Sequence, residues 1–130
     1  MGLEGARPLL PETGPERWTA LAREGVARGL LDGLATRVRA LRLPEDRRDE
    51  DGIARERARA DRCLAAFEKM AGQGVLAGAV DLSRITLGCA LGVLDFRLPG
   101  ENWWRGHPAL DSWFQAFAAR PSMQETEPFE

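Results

Sequence analysis

The sequence predicts an all-α fold, a helical bundle built around one buried central helix, and three observations carry that prediction. Four segments place apolar residues at helical spacing, none alternates apolar and polar residues with period two, and the prolines stand at the ends of the periodic segments. A chain of 130 residues suits one domain of this kind. Residues 1–14 read as a leader or linker and 15–130 as a single helical domain.

Thr13-Gly14-Pro15-Glu16 is a helix start: a hydroxyl or glycine cap, proline in the first turn, then an acid favoured by the helix dipole. Leu21, Ala22, Gly25, Val26, Gly29, Leu30, Gly33, Leu34, Val38 and Leu41 continue a helical stripe to about Leu43-Pro44. A charged connector, residues 45–51, precedes a second helix over 52–71 with Ile53, Ala60, Cys63, Leu64, Phe67 and Met70 on one side. Its other side mixes Arg55, Glu56, Arg57, Arg59, Asp61 and Arg62, the composition of a solvated face.

Gly72-Gln73-Gly74 stops that helix. Residues 82–96 are apolar nearly all round, which predicts the buried central helix. Pro99-Gly100 ends it, Trp103-Trp104 follow in a loop, and Pro108 opens a last helix carrying Leu110, Trp113, Phe114 and Phe117 on one face until Arg120-Pro121.

Composition narrows function by exclusion. Hydrophobic residues make up 44% and charged residues 29%, globular proportions, and no apolar run is long enough to span a bilayer. With 18 basic and 20 acidic residues and no segregated basic face, nucleic acid is not an expected partner. The first residues lack the features of a secretory signal, which makes the cytoplasm the expected compartment. Cys63 and Cys89 sit in apolar helical patterns and read as small buried thiols.

One histidine, His107, rules out histidine metal clusters, and none of Ser83, Ser112 and Ser122 has a nucleophile-elbow context, so general-base catalysis by His107 is rejected. No catalytic residue and no metal site are assigned.

Several polar and small residues remain to be placed. Gly25, Gly29 and Gly33 share a helix face, where each lowers helix propensity by about 1 kcal/mol relative to alanine. Their lack of side chains either lets the buried helix approach or floors a ligand cleft. Arg28 and Asp32 are spaced to pair with each other, or else to make a polar contact with a ligand or second domain. Asp81 is placed to cap the buried helix, and Asp95 to pair locally with Arg97 or contact a chain terminus. Trp103, Trp104, His107, Trp113 and Phe117 concentrate aromatic area that reads as core packing.

In order and spacing these residues resemble the C-terminal helical domain of the glutathione S-transferases, in particular a bacterial branch. Leu9-Leu10-Pro11 with Glu16-Arg17-Trp18 is similar to that domain's linker and first helix, and residues 27–33 to its Ala-Asp-Gly-x-x-Asp-Ala segment. Residues 80–88 are similar to the family's buried helix. Leu94-Asp95-Phe96-Arg97, Trp104, His107-Pro108-x-Leu110, Trp113, Arg120-Pro121-Ser122 and Thr126-x-Pro128 follow in the family's order.

Three positions depart from the pattern: Gly78 stands where the family has a Ser or Thr cap, Arg28 replaces its first acid, and Gly33 its alanine. The resemblance implies an electrophile-side cleft wall, with Gly25, Arg28, Gly29 and Asp32 as candidates, and part of a homodimer interface. It implies a small apolar electrophile as ligand. Glutathione would be held by a thioredoxin-like domain, which in the family precedes this one and activates the thiol; without that domain, supplied in trans or otherwise, no cofactor is expected to bind these residues. The competing expectation is a stand-alone helical module that binds a protein partner or small apolar ligand.

Overall fold

The computed structural model describes residues 6–129, which form α1 (Gly14–Leu41), α2 (Glu50–Gly72), α3 (Leu82–Arg97), α4 (Pro108–Ala118) and α5 (Pro121–Glu125). Two 3-10 turns, Glu45–Arg47 and Pro99–Glu101, lie in the connections, and no strand occurs among the described residues. The fold is the all-α bundle that periodicity predicts. The α1 and α3 helices pack most extensively, with α2 against α1 and α4 against α2.

Ala27, Leu30 and Leu34 of α1 meet Leu64 and Phe67 of α2 and Leu87, Ala90, Leu91 and Leu94 of α3 in one core, which Leu110 and Phe114 close from α4. Each fully buried leucine or phenylalanine contributes about 1.5–3 kcal/mol.

The helix ends follow local chemistry, with corrections to the expected boundaries. Thr13 occupies the extended position before α1, but its side chain makes no capping bond, so the start rests on Pro15 and the acidic Glu16. The second helix begins at Glu50, two residues before the expected Gly52, because the Asp49 carboxylate accepts the Gly52 N–H at 2.9 Å. A residue distant in sequence caps α4: Pro108 has no N–H, His107 supplies no side-chain bond, and Glu68 of α2 accepts the N–H groups of Ala109 and Leu110 at 3.0 and 2.7 Å. The helix opened by Pro108 ends at Ala118, just before Arg120-Pro121 as expected, but it is not the last one. Proline in a first turn is compatible with a helix, and α5 starts there.

The expected burial pattern of α1 also needs correction. Its buried residues are Ala20, Glu24, Ala27, Leu30, Gly33, Leu34 and Arg37, so the inward face is rotated away from Gly25 and Gly29 and keeps only Gly33 of the glycine stripe. The glycines do not admit α3. A side chain on Gly29 would meet the Arg59 guanidinium and one on Gly33 the Glu56 carboxylate, both from α2, while Gly25 faces open space.

Charged groups buried at helical spacing tie the bundle together. Arg37, 2% exposed, donates to Glu101 in the second 3-10 turn, and Arg57 of α2 reaches the same carboxylate at 3.2 Å. Asp95 does not pair with Arg97 as a local partner; it accepts the Trp103 indole N–H at 2.7 Å, while the Arg97 guanidinium lies 4.5 Å from the Phe96 ring centre. Trp103 is thereby held edge-on to Phe114, and His107 Nδ1 donates to the Trp103 carbonyl at 2.6 Å. Trp103 belongs to the core, whereas Trp104 stays 42% exposed.

Candidate functional site

The candidate wall residues lie on the outer side of α1. Trp18, Ala22, Gly25 and Gly29, at spacings of four, three and four, share one strip of that helix. Trp18 is 72% exposed, Gly25 is open, and the Arg59 guanidinium of α2 covers Gly29. Arg28 and Asp32 flank the strip, both exposed.

The expected Arg28–Asp32 couple is not formed. Arg28 turns back one helical turn to Glu24, bonding its carboxylate at 3.0 Å through Nε and 2.8 Å through Nη2. An acid four residues N-terminal to a base is the better helical orientation. This hydrogen bond and charge raise the Arg28 pKa, with Asp32 adding a weaker pull in the same direction. Glu24 also accepts the Thr86 hydroxyl of α3 at 3.3 Å. Periodicity discards Glu24 as a charge, although its spacing from Ala20 and Ala27 places it on the inward face.

A second polar cluster forms where the N-terminus of α3 meets the segment before α1. Asp81 is in extended conformation before α3 and accepts the Arg84 N–H at 2.9 Å and the Ser83 hydroxyl at 2.7 Å. Its other oxygen lies 2.8 Å from Arg84 Nη1 and 3.7 Å from Arg23 Nη1 of α1. Leu9 joins the same corner, its carbonyl accepting the Leu82 N–H at 3.0 Å.

The Arg84 guanidinium fastens the preceding loop, donating to the carbonyls of Leu76 at 2.9 Å, Val75 at 3.1 Å and Ala77 at 2.9 Å. Gly78, with φ of +99°, makes a bend that side-chain-bearing residues rarely adopt. Gly78 thus follows directly on the loop whose carbonyls Arg84 holds.

Burial pushes the Asp81 carboxyl upward, but the Arg84 N–H, the Ser83 hydroxyl and the Arg84 charge outweigh it and hold the pKa below the usual carboxylate value. Stability from this lowered pKa is fully present above the unfolded-state value and is lost as pH falls through the lower folded-state value. Asp81→Ala is expected to cost about 1–2 kcal/mol at neutral pH and to flatten the acid limb. Urea midpoints measured between pH 7 and pH 3 check both effects.

The surface of the described residues is also hollowed in places. A hollow of about 370 Å³ lies between residues 7–12, which precede α1, and the Asp81–Arg84 corner. A larger groove, about 810 Å³, runs between α3 and the α4–α5 region. Gly25, Arg28, Gly29 and Asp32 line neither of them. Cys89 lines the groove and is exposed, which corrects its expected burial: α3 is enclosed except for a strip that forms one groove wall. Cys63 is half-buried against the core. Among the described residues no cluster of metal-ligating side chains occurs and no helix is long and apolar enough to cross a membrane.

Residues 50–116 match the model of the family described as glutathione S-transferase, C-terminal domain. The chain belongs to that family. The uncharacterized GST-like protein YibF of Escherichia coli strain K12 is 30% identical over 124 residues, covering 95% of this chain and 61% of that protein. A glutathione transferase family member from Pseudomonas fluorescens Pf-5, solved with bound glutathione, is 33% identical and superimposes with a TM-score of 0.89 over 96% of this chain and 61% of that one. The same family member was also solved with bound S-(propanoic acid)-glutathione.

A glutathione S-transferase from Methylobacillus flagellatus KT, 24% identical, shares the fold with a TM-score of 0.84 over 93% of this chain and 61% of that one. This chain therefore spans about three fifths of the length of these relatives. The buried α3 and its surrounding helices are the glutathione S-transferase helical domain.

Proposed function

We propose that this domain supplies the electrophile-side wall of a glutathione transferase cleft and part of a homodimer interface, while a thioredoxin-like domain holds and activates glutathione. Support comes chiefly from the 0.89 TM-score, at 33% identity, to a protein solved with bound glutathione. The wall residues are Gly25, Arg28, Gly29 and Asp32: Gly25 leaves room for an apolar electrophile, the Arg59 guanidinium borders Gly29, and the Arg28 charge is anchored by Glu24.

Thiol transfer needs the thiolate, and a free thiol with pKa of about 8.5 is only a few per cent ionised near neutrality. An activating group must hold a hydrogen bond or positive charge beside the sulfur, and a tripeptide-binding floor must fix the reacting geometry. The chain has no tyrosine. Arg28 is already engaged by Glu24 and 58% exposed in its side chain, a poor setting for lowering the pKa of a bound thiol.

The 130-residue chain by itself is accordingly expected to bind an apolar electrophile without conjugating it to glutathione, and to gain turnover when a thioredoxin-like domain is added. Conjugation of a chromogenic electrophile checks this. Saturable turnover by the chain alone, abolished by Arg28→Ala or Asp32→Ala, refutes the division of labour.

Self-association is a second, independent test of the same reading. The exposed Trp18–Ala22–Gly25 strip lets a second α1 approach closely, and a two-fold dimer is the simplest closed arrangement. Light scattering is expected to give a dimer that Gly25→Glu converts to monomer. Since nothing lies within 4 Å of a Cβ added at Gly25, that variant should keep its fold.

A further inference from the structure

Leu21, Gly25, Arg28 and Asp32 follow one another on α1 at spacings of four, three and four, so they form one row along the outer side of that helix. Leu21 is half-buried, and at Gly25, one turn from Arg28, an added Cβ would meet nothing within 4 Å. An apolar edge, a gap and a cation therefore stand in line.

Arg28 is held as a fixed donor. Its Nε and Nη2 both reach Glu24 Oε1, at 3.0 and 2.8 Å, which occupies one edge of the planar guanidinium. The end of the guanidinium, Nη1 with the second N–H of Nη2, meets no acceptor among the described residues. The Glu24 side chain is 12% exposed against 58% for Arg28, so the pair turns its negative end into the bundle and its positive end to solvent. Glu24 Oε1 also accepts the Thr86 hydroxyl, which ties the pair to α3.

We propose that Arg28 selects electrophiles that carry one carboxylate beside their apolar part, with the carboxylate on the free end of the guanidinium and the apolar part in the Gly25 gap. This rests on α1 being the cleft wall. Two parallel N–H···O bonds fit a carboxylate to that end. Glu24 is the positioning residue, because an arginine already held in place loses less side-chain freedom when a ligand arrives. Asp32, the next residue of the row, repels a second negative charge and limits the class to monocarboxylates.

Titration calorimetry of the purified chain with two probes of one shape, cinnamate and its uncharged amide, tests the proposal. Cinnamate is expected to bind roughly fivefold tighter, the upper end for an exposed ion pair, and salt should shrink that preference. Arg28→Ala should bind both probes equally. Arg28→Lys should keep part of the preference, since an ammonium retains the charge without the fork. Glu24→Ala separates positioning from charge: removing a negative charge by itself favours an anion, whereas losing the anchor lowers the preference, and Glu24→Gln, which keeps an acceptor for Arg28, should restore it. Equal binding of the two probes by the parent chain overturns carboxylate selection alone, while binding of neither overturns it together with the cleft wall. A preference that survives Arg28→Ala, or grows in Glu24→Ala, overturns the proposal as well.

Discussion

Arg84→Ala is expected to destabilise the domain by about 3–5 kcal/mol, the range for removing one partner of a buried ion pair. The guanidinium is buried and spends every nitrogen: Nε and Nη2 on the carbonyls of Leu76, Val75 and Ala77, and Nη1 on the Asp81 carboxylate. Truncation leaves three loop carbonyls and a partly buried carboxylate without that partner, and unsatisfied buried groups carry their full desolvation penalty.

The variant series separates the contributions. Arg84→Met keeps much of the packed stem and loses the polar contacts, so it should remain close to alanine. Arg84→Lys retains the charge, but a point ammonium cannot fork across three carbonyls and a carboxylate, so it should fall between alanine and the parent. Urea unfolding followed by helical circular dichroism measures the series. An Arg84→Ala midpoint within about 0.5 kcal/mol of the parent, the usual range for surface substitutions, rejects the clamp. The acid dependence assigned to Asp81 should also weaken in Arg84→Ala, since one of the groups that lower its pKa is gone.

Arg84 also marks where sequence reading stopped. The helices were legible because their signals are local: Pro15 and Pro108 at the starts, Gly74 past the end of α2, and an apolar period inside each helix. The position of Asp81 before the buried α3 was legible for the same reason. The inward face of α1 was not, because three glycines carry the same small-residue signal whether they face a neighbour or water, while Glu24 and Arg37 are charged and yet point inward.

What buried those charges lies far along the chain. Arg37 meets Glu101, 64 residues away, Glu24 meets Thr86, and Glu68 caps a helix about 40 residues later. Only their helical register was available from sequence: Leu30, Leu34 and Arg37 are spaced as one face, as are Arg84, Leu87 and Leu91. A charged residue continuing an apolar face is the signal that would have found them. The candidate wall suffered the same ambiguity: the spacing of Arg28 to Asp32 and to Glu24 is equal, and the direction of the helix decides between them. The groove drew no sequence signal, since it arises from how α4 and α5 pack beside α3.

Gly88→Leu is expected to destabilise the domain by about 3 kcal/mol, the upper end of overpacking costs in a closed core. At Gly88 a packed ring forbids a side chain: a Cβ there would overlap Cε1 of Phe117 and lie 2.6 Å from its Cδ1. The ring has little room to retreat. Trp113 stacks on it at 4.9 Å, Arg120 approaches within 5.1 Å of its centre, and Trp113 is itself tied by its indole N–H to the Leu76 carbonyl at 3.1 Å.

Gly92, one turn later on α3, would have nothing within 4 Å of an added Cβ and supplies the internal control. Alanine at Gly92 should stabilise by up to about 1 kcal/mol through helix propensity alone. Alanine at Gly88 should do the reverse, because the clash exceeds that same gain. Phe117→Leu should relieve the penalty at Gly88 and leave the benefit at Gly92 unchanged, so a double-mutant cycle gives coupling at the first position and additivity at the second. Stabilisation by Gly88→Ala, or equal coupling at both glycines, would mean that Phe117 does not seat against this face of α3.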